Sequence, residues 1–174
     1  MSEERVILVD EGDVERGTAE KLAAHAEGAL HRAFSVVVFN RKGEMLLQRR
    51  AAGKYHSAGL WSNACCGHPR PGEDVRRAAR RRLAEEMGID CALEPLFHLR
   101  YHADLDGGLV ENEYDHVFTA LYDGDEPRPN PAEVQAFCWV RLDEIRRDMD
   151  EEPERYTAWF PLLVDELAAE GVRH

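Results

Sequence analysis

Gly67-His68-Pro69-Arg70-Pro71-Gly72-Glu73-Asp74-Val75-Arg76-Arg77-Ala78-Ala79-Arg80-Arg81-Arg82-Leu83-Ala84-Glu85-Glu86-Met87-Gly88-Ile89 is the stretch on which the fold turns. From residue 73 to 87 the apolar side chains Val75, Ala78, Ala79, Leu83 and Met87 recur at helical spacing. Pro71 precedes the run and Gly88 ends it, which predicts one amphipathic helix with a charged outer face. Upstream, residues 51–72 hold Gly, Pro, Ser, Asn and ring-bearing residues with little periodicity, and read as a long loop. Long loops inside compact domains tend to carry function.

The flanks of this segment read mainly as strands. Residues 5–9 form a short apolar run, and residues 33–39 are β-branched and aromatic. The turn Asn40-Arg41-Lys42-Gly43 leads into residues 45–48, which predicts a hairpin. Residues 96–104 and 109–122 flank the turn residues Asp106-Gly107-Gly108, and residues 133–140 read as a further strand. Residues 143–148 and 159–169 read as closing helices. Strands around one helix, with helices at the end, predict a single α+β (α/β layered) domain over residues 1–174, its mixed sheets packed against the central helix and the C-terminal helices.

Bulk properties narrow the function. The 174 residues carry 34 acidic and 22 basic side chains, a formal net charge of -12, which disfavours nucleic acid and anionic membrane as partners. No apolar run approaches the ~18 residues needed to span a membrane, so no membrane insertion is expected. The opening residues Met1-Ser2-Glu3-Glu4-Arg5 lack the pattern of a secretory signal, so the expected location is cytoplasmic, with reduced cysteines. Cys91 and Cys138 sit in apolar, strand-like contexts and read as core residues, whereas either of the adjacent thiols Cys65 and Cys66 could be reactive, depending on burial.

The ligand count points to a metal. His25, His31 and His68 with Glu111 and Glu113 offer three imidazoles and two carboxylates, a mixture suited to Zn²⁺, Mn²⁺ or another divalent ion. Glu111 and Glu113 are two apart on an expected strand and so share a face. The other histidines, His56, His98, His102, His116 and His174, read as ordinary surface or core residues.

Residues 67–89 resemble the Nudix box: Gly, five residues, Glu, seven residues, Arg-Glu-aliphatic, any, Glu-Glu, any, Gly-aliphatic. The match breaks at one defining position, where Arg82 stands in place of Glu. Carboxylates near one end of such a helix can hold Mg²⁺ against a diphosphate. Arginine there removes one ligand and adds a guanidinium that can grip phosphate directly. The segments Gly59-Leu60-Trp61-Ser62-Asn63-Ala64-Cys65-Cys66-Gly67-His68-Pro69, Leu30-His31-Arg32-Ala33-Phe34-Ser35 and Val110-Glu111-Asn112-Glu113 resemble, in order and separation, the motifs of type 1 isopentenyl-diphosphate isomerases. This likeness runs from about residue 6 to residue 159.

The resemblance implies a Nudix-like fold and an isomerase acting on a small prenyl diphosphate, as a monomer or small homo-oligomer. It implies Cys66 and Glu113 as the proton-transfer pair, with Cys65 left to packing, Tyr101 bonded to the Glu111 carboxylate, and Trp159 facing a carbocation. It implies His25, His31, His68, Glu111 and Glu113 around one divalent ion (Mn²⁺, Zn²⁺ or Mg²⁺). For the diphosphate it implies Lys21, Arg50, Lys54 and Arg82, with Glu86 coordinating a Mg²⁺ that accompanies the substrate. The rival activity, a Nudix hydrolase cleaving a nucleoside or other diphosphate, explains the box but leaves the Cys-Gly-His loop and Glu-Asn-Glu without a role. A non-catalytic metal-binding protein is the other alternative, and the intact Cys66 and Glu113 pair argues against it.

Overall fold

The computed structural model describes residues 4–54 and 56–171. Val6 on one face and Ile7 and Val9 on the other bury β1 (Arg5–Val9), which pairs antiparallel with β2 (Glu15–Glu20). The short helix α1 (Lys21–Glu27) follows at once and buries only Ala24 and His25. Next comes the hairpin of β3 (His31–Phe39) and β4 (Glu44–Arg50). Its turn is closed by Asn40, whose Oδ1 accepts from the backbone N–H groups of Lys42 and Glu44, both at 3.0 Å.

Two three-residue strands, β5 (Trp61–Asn63) and β6 (Cys65–Gly67), lie inside the segment expected to be loop. β5 pairs with β4 and β6 with β3, so tertiary pairing supplies what so short a run cannot show as periodicity. β2 and α1 were likewise not expected. The sequence Glu15-Arg16-Gly17-Thr18-Ala19-Glu20 has no apolar face, and α1 spans only seven residues.

Asp74 caps α2 (Val75–Met87), its carboxylate accepting from the N–H of Arg77 at 3.0 Å. Ala78, Ala79, Leu83 and Met87 are fully buried against Val36, Val38 and Leu46 of the sheet. Burial stabilises by about 1.5–3 kcal/mol for a side chain of the size of Leu83 or Met87. Gly88 ends the helix at φ 66°, and a Cβ there would lie 2.8 Å from the carbonyl oxygen of Arg128. Gly88→Ala therefore combines a left-handed backbone with a backbone clash, and a loss of about 2–4 kcal/mol is expected in chemical denaturation.

The long antiparallel pair β7 (Glu94–Asp104) and β8 (Val110–Leu121) turns through residues 106–108 as expected. β8 also runs parallel to β3 along the whole length of β3, and β9 (Val134–Arg141) pairs with β4. Nine strands thus join in one branched sheet of mixed direction. α2 covers one face, while α3 (Leu142–Glu151) and α4 (Phe160–Ala169) cover the other, where Val37, Phe39 and Val117 meet Ile145, Phe160 and Leu163. Among the described residues no helix is long and apolar enough to cross a membrane.

Candidate active site and metal centre

β3 is the hub of the site because it pairs with β8 on one side and β6 on the other. Register sets His31 beside Glu113 and Ser35 beside Cys66, and β7 places Tyr101 opposite Glu113. Directly paired residues point to the same face. That face is apolar beneath α4 and polar towards the N-terminal end of β3.

Strand alternation separates the adjacent cysteines. Cys65 turns into the α2-side core with no exposed surface, its thiol 3.1 Å from Glu86 Oε2. Cys66 turns the other way, partly exposed to a cavity of about 730 Å³. Its Sγ lies 3.2 Å from Asn63 Oδ1 and 3.5 Å from Ser35 Oγ. Ser35 Oγ in turn donates to the buried Asp115 Oδ2 at 2.6 Å. Burial, reinforced by the Asp115 carboxyl, pushes the Cys66 thiol up to about 12, so it holds its proton at neutral pH.

Imidazoles and carboxylates converge beside it. His25, His31, His68 and Glu113 each bring one donor atom to within 4.8 Å of the others. His25 Nδ1 and His31 Nδ1 lie 2.8 Å from the carbonyls of Lys21 and Ala29, leaving each ring's other nitrogen to face the group. His68 Nε2 lies 2.8 Å from Glu113 Oε2, and His31 Nε2 lies 3.3 Å from the same oxygen. The Tyr101 hydroxyl bridges the two carboxylates, 2.6 Å from Glu111 Oε2 and 2.7 Å from Glu113 Oε1. Buried imidazoles with carboxylates at this separation fit a divalent first-row ion.

Electrostatics divide the two glutamates. Burial raises the Glu111 carboxyl well above its usual range, and the charge on Glu113 adds to this. Burial opposes ionisation of Glu113 too, but hydrogen bonds from His31 and His68 hold it well below the usual range. The surroundings therefore push the two carboxyls apart, Glu113 towards the charged form and Glu111 towards the neutral one. Burial also lowers His68, to about 4, so that ring is neutral and ready to ligate.

The same cavity also carries cations. Lys21, Arg50, Lys54 and Arg82 all line it. Arg82 Nη1 donates to Glu85 at 2.9 Å, and Nη2 lies 3.3 Å from Glu86 and closer still to Glu133. Glu133 also reaches Lys54 at 3.5 Å, which ties two of the four cations together. Trp159, at the N-cap of α4, is 3% exposed and lines the cavity. Its Nε1 donates to Ser62 Oγ at 3.0 Å, and the Arg50 guanidinium stands 5.5 Å from the ring centre. Arg82→Gln removes a cation that faces three carboxylates. It is expected to raise KM for a diphosphate substrate about 10–100-fold, with a smaller change in kcat, as read from initial rates.

Two residues that line the cavity were not anticipated from the sequence, and one predicted ligand, Glu86, lies apart from it. Glu86 stands outside the imidazole group and does not line the cavity. Its carboxylate accepts from Cys65 and, at 3.4 Å, from Gln48 Nε2, because α2 packs it against the face opposite Cys66. His56, read as ordinary, is 5% exposed and lines the cavity. Glu133 was not singled out at all, although its place two residues after Pro131, at the mouth of β9, gave no signal of a site. Of the remaining histidines, His116 pairs with Asp13 at 2.8 Å away from the cavity, next to His98, and His102 is exposed. His174 lies outside the described residues.

Comparison with known proteins agrees with this geometry. Residues 29–160 match the NUDIX domain, which sets the class. Isopentenyl-diphosphate Delta-isomerase 1 of Aromatoleum aromaticum is 53% identical over 167 residues, covering 96% of this chain and 94% of its own. The isopentenyl-diphosphate Delta-isomerase of Halorhodospira halophila is 51% identical over 165 residues, 94% of each chain. The crystal structure of DR0079 from Deinococcus radiodurans shares the fold, with a TM-score of 0.78 at 20% identity, over 94% of this chain and 98% of that one. The chain belongs to the isopentenyl-diphosphate Delta-isomerase family of NUDIX-domain proteins.

Proposed function

We propose that this chain interconverts isopentenyl and dimethylallyl diphosphate, with Cys66 and Glu113 as the proton-transfer groups. The observation that carries the reading is the placing of the Cys66 thiol and the Glu113 carboxyl on the wall of one cavity that Lys21, Arg50, Lys54 and Arg82 also line, with burial favouring the protonated thiol and the His31 and His68 contacts favouring the charged carboxylate. Isomerisation adds a proton to the terminal alkene carbon and removes one from the carbon next to the resulting tertiary cation. A donor and an acceptor must therefore be held in place together.

Cys66 gives its proton to the alkene, and Glu113 takes one from the allylic carbon. Lys21, Arg50, Lys54 and Arg82 hold the diphosphate, so the hydrocarbon end reaches the thiol. The Trp159 ring lies against the developing positive charge, and the buried walls of the cavity keep out water that would capture the cation. Tyr101 fixes both carboxylates through its hydroxyl. A divalent ion (Mn²⁺, Zn²⁺ or Mg²⁺) would be held by His25, His31, His68, Glu111 and Glu113, and its charge would tune the proton affinity of Glu113. For Mg²⁺ accompanying the diphosphate, Glu86 is the protein ligand implied by the family, and Arg82 already shares that carboxylate.

Hydrolysis of a diphosphate has less support, because Arg82 occupies a position where the Nudix box has a carboxylate. The test is incubation with isopentenyl diphosphate in deuterated water. Dimethylallyl product carrying deuterium, with no release of phosphate or pyrophosphate, is the expected result. Phosphate release without deuterated product would replace the isomerase reading by the hydrolase one.

A further inference from the structure

His56 stands at a second point where metal donors meet. His25, His56 and Glu111 each bring one ligand atom within 4.8 Å of the others, and all three residues are buried. This group shares His25 with the His31, His68 and Glu113 group, and Glu111 is joined to Glu113 through the Tyr101 hydroxyl. The two groups are therefore parts of one continuous cluster of four imidazoles and two carboxylates.

The orientation of His56 repeats that of His25 and His31. In each of those rings Nδ1 is taken up by a neighbouring oxygen while the other nitrogen faces the cluster. His56 Nδ1 lies 3.0 Å from Ser57 Oγ, and Nε2 lies 3.5 Å from Glu111 Oε1. A ring fixed through one nitrogen, with the other turned towards a carboxyl oxygen that can share an ion with it, is the arrangement of a ligating histidine.

The backbone is shaped to hold it there. Ser57 adopts φ 53°, a left-handed conformation unusual for a residue other than glycine, asparagine or aspartate. Its N–H donates to Asp106 Oδ1 at 3.2 Å from the β7–β8 turn, and Arg50 Nη2 donates to the His56 carbonyl at 3.2 Å. The edge contact with Trp159, at 5.9 Å between ring centres, fixes the remaining side. Strain retained at one residue, with contacts from three other elements, is a mark of a functional constraint.

We propose that His56 is a fourth imidazole ligand of the metal centre, binding a divalent first-row ion together with His25 and Glu111. This rests on the metal centre named above and extends it by one donor. Because Trp159 touches the same ring, the ion and the aromatic wall facing the substrate are mechanically joined through His56.

The test uses the full-length protein loaded with Co²⁺. Each ligated imidazole contributes one paramagnetically shifted, exchangeable N–H resonance to the proton NMR spectrum. Four such resonances are expected in the wild type and three in His56→Phe, which keeps a ring against Trp159 but has no donor. Competition with a chelator should show Co²⁺ affinity at least about tenfold lower in the variant. Three resonances in the wild type, all retained in His56→Phe with unchanged affinity, would overturn the proposal while leaving the three-imidazole centre standing. No Co²⁺ uptake by the wild type would overturn both. The wild-type count does not depend on whether the variant folds.

Discussion

Cys66→Ala is expected to lower kcat for isomerisation by about 10²–10⁴-fold or more, the contribution of a positioned proton-transfer group, while leaving the fold intact. The structure explains why the fold should survive. Cys66 lies on the cavity wall, and its neighbours keep other partners when the thiol goes. Ser35 Oγ still donates to Asp115, and Asn63 Nδ2 still donates to the carbonyls of Val36 and Cys65 at 3.0 and 2.9 Å. Removing one sulfur from a cavity wall costs less than opening a void in a closed core. Cys65→Ala supplies the contrast. It empties space in the α2-side core and frees the Glu86 carboxylate, so stability should drop while kcat changes little. Product formation and unfolding midpoints for the two variants decide the matter. Full activity in Cys66→Ala would remove Cys66 as the donor.

Glu113→Gln is expected to lose turnover and metal affinity together. The carboxylate is the acceptor in the reaction, so its loss should lower kcat by about 10²–10⁴-fold. It is also the carboxyl that His31 and His68 face, and a neutral amide is a weaker ligand than a carboxylate for a divalent ion shared with those imidazoles. Metal affinity should fall at least about tenfold. Metal content after dialysis, measured beside turnover, separates the two roles. Unchanged metal binding with lost turnover would make Glu113 an acid–base group alone.

The fold was legible where periodicity or turn chemistry was strong. The 3.6-residue spacing of Val75, Ala78, Ala79, Leu83 and Met87 marked α2, and Asn40 and Gly43 marked the first hairpin. β5 and β6 were hidden because three residues cannot display a period, and their strand geometry comes from pairing with β4 and β3. β2 carries no apolar face, so nothing local distinguished it from a loop.

Legibility of the site followed the same division. Glu111 and Glu113 share a face by strand alternation, and the same rule separates Cys65 from Cys66 once β6 is known to be a strand. His56 was missed because a lone histidine in an aperiodic stretch carries no signal. The left-handed turn at Ser57, held by the distant Asp106, and the contacts of Arg50 and Trp159 aim it inward. The burial of Glu86 beside Cys65 could not be read, because spacing along a helix does not say which side of the sheet the helix covers.

The parallel pairing of β3 with β8 has a consequence for how the protein unfolds. His25, His31, His68 and Glu113 come from an 89-residue span and converge only when this pairing sets His31 beside Glu113. An unfolded chain cannot present the set, so a bound ion acts as a selective clasp on the native topology. At an ion concentration of 100 times Kd, such a clasp adds about 2.7 kcal/mol to the unfolding free energy. A chelator should therefore lower the melting temperature. It should also hasten exchange of the β3 and β8 amides more than those of β1 and β2, which lie at the sheet's outer edge.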